Sequence, residues 1–227
     1  MNVAIIAAAG RGTRIGGVRA KQFLELAGTP IIIHTVQAFE QCEVIDEIVV
    51  VLPAEDAAGF LALAGKHNLQ KVTQVVPGGA TRAESVWRGL RAKRSAAAEI
   101  VAVHDGVRPF VTADEIERTV LAAQEHGAAI LVAPATDTIK EVENGNVLRT
   151  LSRSQLRRAL TPQCFRYGLL HRAYEQADVF DPDLTDESVL LQRLGLRVAT
   201  VDGSPRNIKI TELEDLAVAE LLLSRAH

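Results

Sequence analysis

Short runs of apolar residues recur along the chain at intervals that leave room for a helix between them. They predict strands at 3–9, 46–52, 71–76, 99–103 and 128–133, and the apolar core is continuous at 48–52. Continuous apolar runs of this length are typical of strands buried on both faces of a parallel sheet. Their alternation with helical segments predicts an α/β fold of Rossmann-like type, with three layers, a mostly parallel sheet and right-handed crossovers.

Capping signals mark where several of these helices begin. In a capping box, Ser or Thr is followed three residues later by Glu, and each side chain binds the other residue's backbone N–H. Such pairs precede predicted helices at Thr81–Glu84, Thr112–Glu115 and Thr211–Glu214. Thr29 and Pro30 predict the N-cap and first residue of an earlier helix. The pair at Thr81 places Arg82 and Ser85 in a first helical turn, where polar groups can face a ligand.

The pattern changes after residue 133. Asn144-Gly145 is a strong signal for a two-residue hairpin turn, and it predicts a protruding β-hairpin arm at about 137–152. The flanks of this turn hold too few apolar residues to form a core, so the arm has to lie on another surface. A second subunit and the arm's own domain are the alternatives, and we expect the former. The whole chain, 1–227, is treated as one domain with this arm.

Three further strands are predicted beyond the arm, at 159–165, 197–201 and 207–210. Pro162 predicts that the first of them lies near an edge of the sheet, because proline cannot donate to the ladder. The last of them carries Lys209 between two isoleucines. This arrangement is uncommon in a surface strand, which makes Lys209 a candidate functional residue.

The composition excludes some classes of partner. The chain has 227 residues, 48% of them hydrophobic, and a formal net charge of −3. That balance does not suggest nonspecific binding to nucleic acid or to an acidic membrane. Cys42 and Cys164 do not share a metal-ligand spacing. Neither a leader nor an apolar run long enough for a bilayer is evident, so we expect a soluble, cytoplasmic protein.

The stretch after the first strand carries the clearest chemical signal. It contains Gly10, Arg11, Gly12, Arg14 and Lys21. The glycines let a ligand approach the backbone closely, and successive N–H groups in such a turn can bind an anion. The cations add fixed positive charge. The expected anion is a polyphosphate.

Three kinds of phosphate-binding loop can be compared with this stretch. The Rossmann fingerprint G-x-G-x-x-G fits at Gly10 and Gly12 but fails at Ile15. A Walker A loop fails because the stretch lacks the triplet G-K-[ST]. A nucleotidyltransferase loop, in which Arg and Lys hold the triphosphate of a nucleotide, fits the cations. The remaining alternative is that the stretch binds no ligand and is only a glycine-rich turn whose cations face solvent.

A second candidate site follows the strand at 99–103. His104 and Asp105 follow that strand, and Arg108 lies three residues after Asp105. Ligands of open α/β sheets bind beyond the carboxyl ends of the strands, so a carboxylate at this position is well placed for chemistry. The structural alternative is that Asp105 only caps a turn.

A set of motifs then extends the argument to the whole chain. In order, they are AAAGRGTRIG, AKQFLELAGTPII, GGATRAESV, HDGVRPFV, APATDTIK, LTPQ, TDE and NIKIT. With these motifs at these spacings, the chain resembles the 2-C-methyl-D-erythritol 4-phosphate cytidylyltransferase family over nearly its full length. The resemblance implies a nucleotidyltransferase fold, CTP and methylerythritol phosphate as substrates, Mg²⁺ as cofactor and a homodimer formed through the arm.

The resemblance also implies which residues bind the nucleotide. Arg14 and Lys21 match cations that act on the triphosphate. Cytosine contacts are implied at Ala8, Ala9, Gly79 and Ser85, and a phosphate-binding turn at Gly10, Arg11 and Gly12. Asp105 and Gly106 match positions near the ribose.

On the side of the second substrate, the resemblance implies roles for four further residues. Arg153 and Lys209 match the pair that holds the methylerythritol phosphate. Asp105 and Arg108 lie by the sugar-phosphate side. Thr138 matches a residue at the base of the arm that reaches the partner subunit's site.

The implied reaction needs no general base, because a phosphate oxygen of the second substrate is already anionic at neutral pH. Catalysis then consists of positioning and charge stabilisation. Mg²⁺ would bridge phosphate oxygens, with Asp105 as its one candidate protein ligand. Two alternatives stay open, a cytidylyltransferase for ribitol 5-phosphate and a non-catalytic nucleotide-binding module. An NAD-dependent oxidoreductase fails on the glycine spacing.

Overall fold

The computed structural model describes residues 1–10 and 20–225, and its centre is a seven-stranded sheet with helices on both faces. The strands are β1 Asn2–Ala7, β2 Glu25–Leu26, β3 Thr29–Pro30, β4 Glu47–Leu52, β5 Val72–Pro77, β6 Ile100–Asp105, β7 Ala128–Pro134, β8 Lys140–Glu143, β9 Asn146–Thr150, β10 Arg157–Arg166 and β11 Ala199–Asp202. The helices are α1 Ile31–Glu40, α2 Ala57–Lys66, α3 Arg82–Leu90, α4 Ala113–His126, α5 Tyr167–Glu175, α6 Glu187–Arg193 and α7 Leu213–Ser224.

The sheet has the strand order β11-β7-β10-β6-β1-β4-β5. β10 is antiparallel to both of its neighbours, and the other pairs are parallel. The expected mostly parallel α/β sheet is therefore confirmed. From β1 the chain builds outward through β4 and β5 and then crosses to β6 on the other side. The topological switch point, where ligands of such sheets bind, thus lies between β1 and β6.

Apolar clusters cover the two faces of the sheet. Ile5 and Ile6 are neighbours in β1, yet they belong to opposite clusters because successive strand side chains point to opposite faces. Phe39 of α1 packs on one face together with α2 and α4, and Val86 of α3 packs on the other with α5 and α6. The apolar runs of β1, β4 and β6 are thereby explained, since these strands are buried on both faces.

Two of the strand predictions are wrong. β10 lies in the interior of the sheet and not near its edge. Pro162 is tolerated there because the pairing with β7 shifts register between Ala159 and Gln163, where the ladder is interrupted. Residues 207–210 do not form a strand. Their backbone is held instead by the Arg108 side chain, which donates to Asn207 O at 2.9 Å.

Two of the helix starts also differ from expectation. α1 begins at Ile31 with Pro30 as its N-cap, because Thr29 and Pro30 pair with β2. The capping box of α7 is formed by Glu212 and Asp215, and not by Thr211 and Glu214. The capping box at Thr112–Glu115 is confirmed.

The hairpin at Asn144-Gly145 is present. β8 and β9 pair antiparallel, and both turn residues are left-handed, with φ of 50° and 80°, as a type I′ turn requires. Val142, Val147 and Leu148 are 58%, 62% and 59% exposed, so these apolar side chains do not pack against the described part of their own domain. Among the described helices, none combines the length and apolar character that a bilayer crossing needs.

Candidate active site

A cavity of about 940 Å³ opens at the switch point between β1 and β6. It is lined by the chain just after β1 and just after β5, by the first turn of α3 and by Asp105 at the end of β6. A second cavity of about 220 Å³ shares Arg82, Asp105 and Lys209 with the first. The site therefore has two compartments with a common charged wall.

Small residues allow backbone segments to meet beside the larger cavity. A Cβ atom at Gly78 would collide with Ala9 Cβ, and one at Gly106 would lie 2.7 Å from Ala8 Cβ. The N–H of Gly106 donates to Ala7 O at 2.9 Å, which ties β6 to β1 at this point. Gly106 thus supports the residues that line the cavity, and it is not itself among the lining residues described.

We expect Gly106→Ala to lower the free energy of unfolding by about 1–2 kcal/mol, because the new methyl group overpacks against Ala8 and moves the cavity wall. Gly59→Ala is the matched control, since a Cβ there meets nothing within 4 Å and an alanine suits its helix. Urea unfolding of both variants measures the difference. Equal stability of the two would show that the contact at Gly106 relaxes freely.

The turn before α3 is fixed by its own side chains. Thr81 is the N-cap of α3, and its hydroxyl accepts from Glu84 N at 3.0 Å. The expected capping box is only half formed, because Glu84 accepts from Ala80 N at 2.7 Å. The Ser85 hydroxyl accepts from Gly79 N at 3.0 Å and donates to Thr81 O at 2.8 Å. This turn is therefore held in shape without a ligand.

Three cations converge on Asp105. Arg82 Nε lies 3.0 Å from Oδ1, while Arg108 Nε and Lys209 Nζ lie 3.2 Å and 3.0 Å from Oδ2. Burial alone would raise the pKa of this carboxyl, but Arg82, Lys209 and Arg108 hold the pKa well below its usual range. Asp105 therefore stays ionised and keeps the three cations together at the wall between the compartments.

Arg82 has a second anionic partner, Glu187 at the start of α6. The two guanidinium nitrogens Nη1 and Nη2 donate to Glu187 Oε1 and Oε2 at 2.7 and 3.0 Å. Tyr174 of α5 donates its hydroxyl to Glu187 Oε1 at 3.0 Å. The Glu187 side chain is only 1% exposed. This bidentate pair fixes the plane of the Arg82 guanidinium.

A polar network behind the cavity fixes His104. Its Nε2 lies 3.2 Å from Arg108 O, which can only accept, so Nε2 carries the proton of the neutral ring. Nδ1 then accepts from the Thr161 hydroxyl at 2.9 Å, and that hydroxyl accepts from Asp105 N at 3.2 Å. Burial lowers the pKa of His104 to about 3, so the ring stays neutral. The network holds the backbone that carries Asp105 and Arg108.

We expect the protein to lose stability as the pH falls from 6.5 to 5, in part because of His104. The unfolded chain takes up a proton on this ring below about 6.5, whereas the folded protein does so only near its pKa of about 3. This difference contributes about 1.4 kcal/mol per pH unit, or about 2 kcal/mol over this range. Urea unfolding at several pH values measures how steeply the free energy of unfolding falls with pH. In His104→Gln this fall should be smaller, even if the variant is less stable than the wild type at every pH. An unchanged slope would contradict the assignment.

The structure brings most of the predicted site residues together. Ala8, Ala9, Gly10, Lys21, Gly79, Ser85, Asp105 and Lys209 line the larger cavity, and Arg108 lines the smaller one. Arg153 and Thr138 are exposed residues at the base of the arm, and neither belongs to the described lining of the two cavities. Arg11, Gly12 and Arg14 lie outside the described residues.

Several contacts within the site were not predicted from the sequence. Arg82 was expected to face a ligand, but its pairing with Asp105 and Glu187 was not foreseen. Thr161 and Gln163 belong to the motif LTPQ, and Gln163 Nε2 donates to Asp186 Oδ2 of the motif TDE at 3.0 Å. The two motifs were visible in the sequence, whereas their contact across the fold was not.

Comparison with known proteins identifies the family. Residues 2–225 match the family IspD, described as 2-C-methyl-D-erythritol 4-phosphate cytidylyltransferase. The proteins of that name from Geobacter metallireducens and Symbiobacterium thermophilum are 43% and 45% identical to this chain. The alignments cover 97% and 96% of this chain, and 96% and 91% of those proteins.

Solved structures agree with the sequence match. The 4-diphosphocytidyl-2C-methyl-D-erythritol synthase of Anaerococcus prevotii is 30% identical and superposes with a TM-score of 0.87, covering 99% of this chain and 96% of that one. The 2-C-methyl-D-erythritol 4-phosphate cytidylyltransferase of Thermus thermophilus is 34% identical with a TM-score of 0.76, covering 97% and 98%. The chain therefore belongs to the IspD family of 2-C-methyl-D-erythritol 4-phosphate cytidylyltransferases.

Proposed function

We propose that this protein transfers CMP from CTP to 2-C-methyl-D-erythritol 4-phosphate in the non-mevalonate route of isoprenoid biosynthesis. The products are 4-diphosphocytidyl-2-C-methyl-D-erythritol and pyrophosphate. The observation that carries the proposal is the convergence of Arg82, Arg108 and Lys209 on Asp105 where the two cavities meet. The larger cavity would take the nucleotide and the smaller one the polyol, so that both phosphates meet at this wall.

In this reaction an anionic oxygen of the polyol phosphate attacks the α-phosphorus of CTP. A new P–O bond forms as the bond to the β-phosphate oxygen breaks, and pyrophosphate leaves with that electron pair. Negative charge accumulates between the two substrates, so nearby cations lower the barrier. Lys21 and Lys209 line the cavity at which this occurs. The role of Arg14 on the triphosphate is proposed from the family resemblance.

Mg²⁺ is proposed as the cofactor. In phosphoryl-transfer sites this ion commonly keeps several waters and is held by one or two carboxylates together with substrate phosphates. Asp105 lines the larger cavity and is the carboxylate proposed for that role, and to bind the ion it would have to exchange at least one of the three cations that contact its oxygens. Among the described residues, no three or more His, Cys, Asp or Glu side chains are grouped as a metal site, so the triphosphate would supply most ligands. When bound, Mg²⁺ would neutralise charge on the phosphate oxygens.

We further propose a homodimer in which the arm of one subunit contacts the other. The exposed apolar residues of the arm support this assembly. It would also give Arg153 and Thr138 a place in a partner's site. Light scattering on the intact protein and on Leu148→Asp tests it, and a monomeric wild-type protein would exclude it. The cytoplasmic location stays a prediction, which cell fractionation can test.

The first experiment follows pyrophosphate release from CTP and Mg²⁺ with methylerythritol phosphate, with ribitol 5-phosphate or with neither. Release only with methylerythritol phosphate is the expected result. Release with ribitol 5-phosphate instead would keep the nucleotide site and change the polyol assignment. A protein that binds CTP but releases nothing with either polyol would be a nucleotide-binding module.

A further inference from the structure

Phe180 is an exposed aromatic residue at the larger cavity. Its exposed fraction is 62%, and it is the one aromatic side chain among the described residues that line this cavity. The other apolar lining residues described are four alanines and Val107. A large ring left in water at the edge of a polar cavity is an apolar surface that a ligand can cover.

The segment that carries Phe180 is held firmly on both sides. Val179 and Leu184 pack against the core on the α3 face of the sheet. Phe180 N donates to Asp178 Oδ1 at 2.9 Å, and Asp181 pairs with Arg193 at 2.6 Å. The backbone around Phe180 is therefore fixed although its ring is exposed.

One contact shows which part of the cavity wall lies beside the Phe180 segment. The Thr81 hydroxyl donates to Val179 O at 2.8 Å, so the loop is tied directly to the N-cap of α3. Thr81 follows the turn that contains Gly79, and both Gly79 and Phe180 line the larger cavity. Phe180 thus lies near the Gly79 turn.

We propose that Phe180 packs against the pyrimidine ring of the bound nucleotide and contributes to its affinity. The inference rests on the proposed function, because it places the base beside Gly79 and Ser85. Backbone and hydroxyl groups of that turn can recognise the edge of a base, but they leave its flat face uncovered. An aromatic ring covers such a face, and stacking of this kind is tolerant of base identity. Phe180 is therefore assigned to affinity and not to the choice of cytosine.

The test compares the wild-type protein with Phe180→Ala, Phe180→Leu and Phe180→Trp. Calorimetry gives the dissociation constants of CTP and of inorganic tripolyphosphate, which lacks a base. Phe180→Ala should weaken CTP binding about 5- to 100-fold and leave tripolyphosphate binding unchanged. Phe180→Trp should bind CTP as the wild type does, with Phe180→Leu between the two. The ratio of kcat/KM for CTP and UTP should not change.

Leu61→Ala controls for the loss of an exposed apolar side chain. Leu61 is 52% exposed on α2 and does not belong to the described lining of the cavity. Urea unfolding should show that Leu61→Ala and Phe180→Ala keep wild-type stability. Unchanged CTP affinity in Phe180→Ala would overturn the inference, as would an equal loss of tripolyphosphate binding or an increase confined to the KM of the polyol phosphate. If Phe180→Ala weakens CTP binding as expected but the wild-type protein catalyses no transfer, only the proposed reaction is overturned.

Discussion

Lys209→Ala is expected to lower kcat/KM for the polyol phosphate by about 10²- to 10³-fold, which corresponds to a loss of about 2.7–4 kcal/mol of transition-state stabilisation. Lys209 Nζ lies 3.0 Å from Asp105, and its side chain lines both cavities. It is therefore placed where the charges of two anionic substrates meet. Steady-state pyrophosphate release, with each substrate varied in turn, measures the effect.

Stability separates this catalytic role from a structural one. The Lys209 side chain is 36% exposed, and Asp105 keeps Arg82 and Arg108 when the lysine is removed. Loss of such a partly hydrated pair should change the free energy of unfolding by less than about 1 kcal/mol. Lys93→Ala, at an exposed position, controls for removal of a surface charge. Full turnover by Lys209→Ala would remove Lys209 from the mechanism.

The strands next to the site could be predicted because they are buried on both faces. β1, β4 and β6 are continuous apolar runs, and the residues after β1 and β6 were recognised as candidates from the rule that ligands bind beyond carboxyl ends of parallel strands. β10 shows the limit of this reasoning. Its apolar residues indicate burial but do not say which strands it pairs with, and Pro162 pointed to the wrong position.

The pairing of charged residues could not be predicted, for a different reason. Arg82 and Glu187 are 105 residues apart in sequence, and only the packing of α3 against the same face as α5 and α6 brings them together. Arg82 was expected only to face a ligand from a first helical turn, and Glu187 was noticed only as part of the motif TDE. Local reasoning accounted for each residue alone and therefore gave no reason to join them.

The charged cluster at the wall between the cavities is already assembled before any substrate binds. Three cations, Arg82, Arg108 and Lys209, meet two carboxylates, Asp105 and Glu187, which leaves one positive charge. Asp105 thus keeps the cations close to one another before any phosphate enters. A phosphate that binds there has little reorganisation to drive, which is the condition under which fixed charges lower a barrier.

The second large effect is expected at Glu187. Glu187→Gln should lower the free energy of unfolding by about 2–4 kcal/mol, because it leaves the Arg82 guanidinium with a single anionic partner, Asp105. This loss is smaller than the loss expected for breaking a fully buried ion pair, because the Arg82 side chain is 29% exposed. Tyr174→Phe removes one hydrogen bond to the same carboxylate and should cost about 1 kcal/mol. Asp114→Asn, which breaks an exposed pair with Arg118, should cost less than about 1 kcal/mol.

A double variant decides whether the loss at Glu187 comes from leaving the Arg82 cation with one carboxylate instead of two. If it does, Arg82→Met together with Glu187→Gln should be more stable than Glu187→Gln alone, because the cation that lost one of its two partners is gone. Urea unfolding of the wild type, both single variants and the double variant gives this coupling energy. Additive losses would instead mean that Glu187 acts mainly by packing at the start of α6. The double variant should lack transferase activity in either case, since Arg82 lines both compartments of the site.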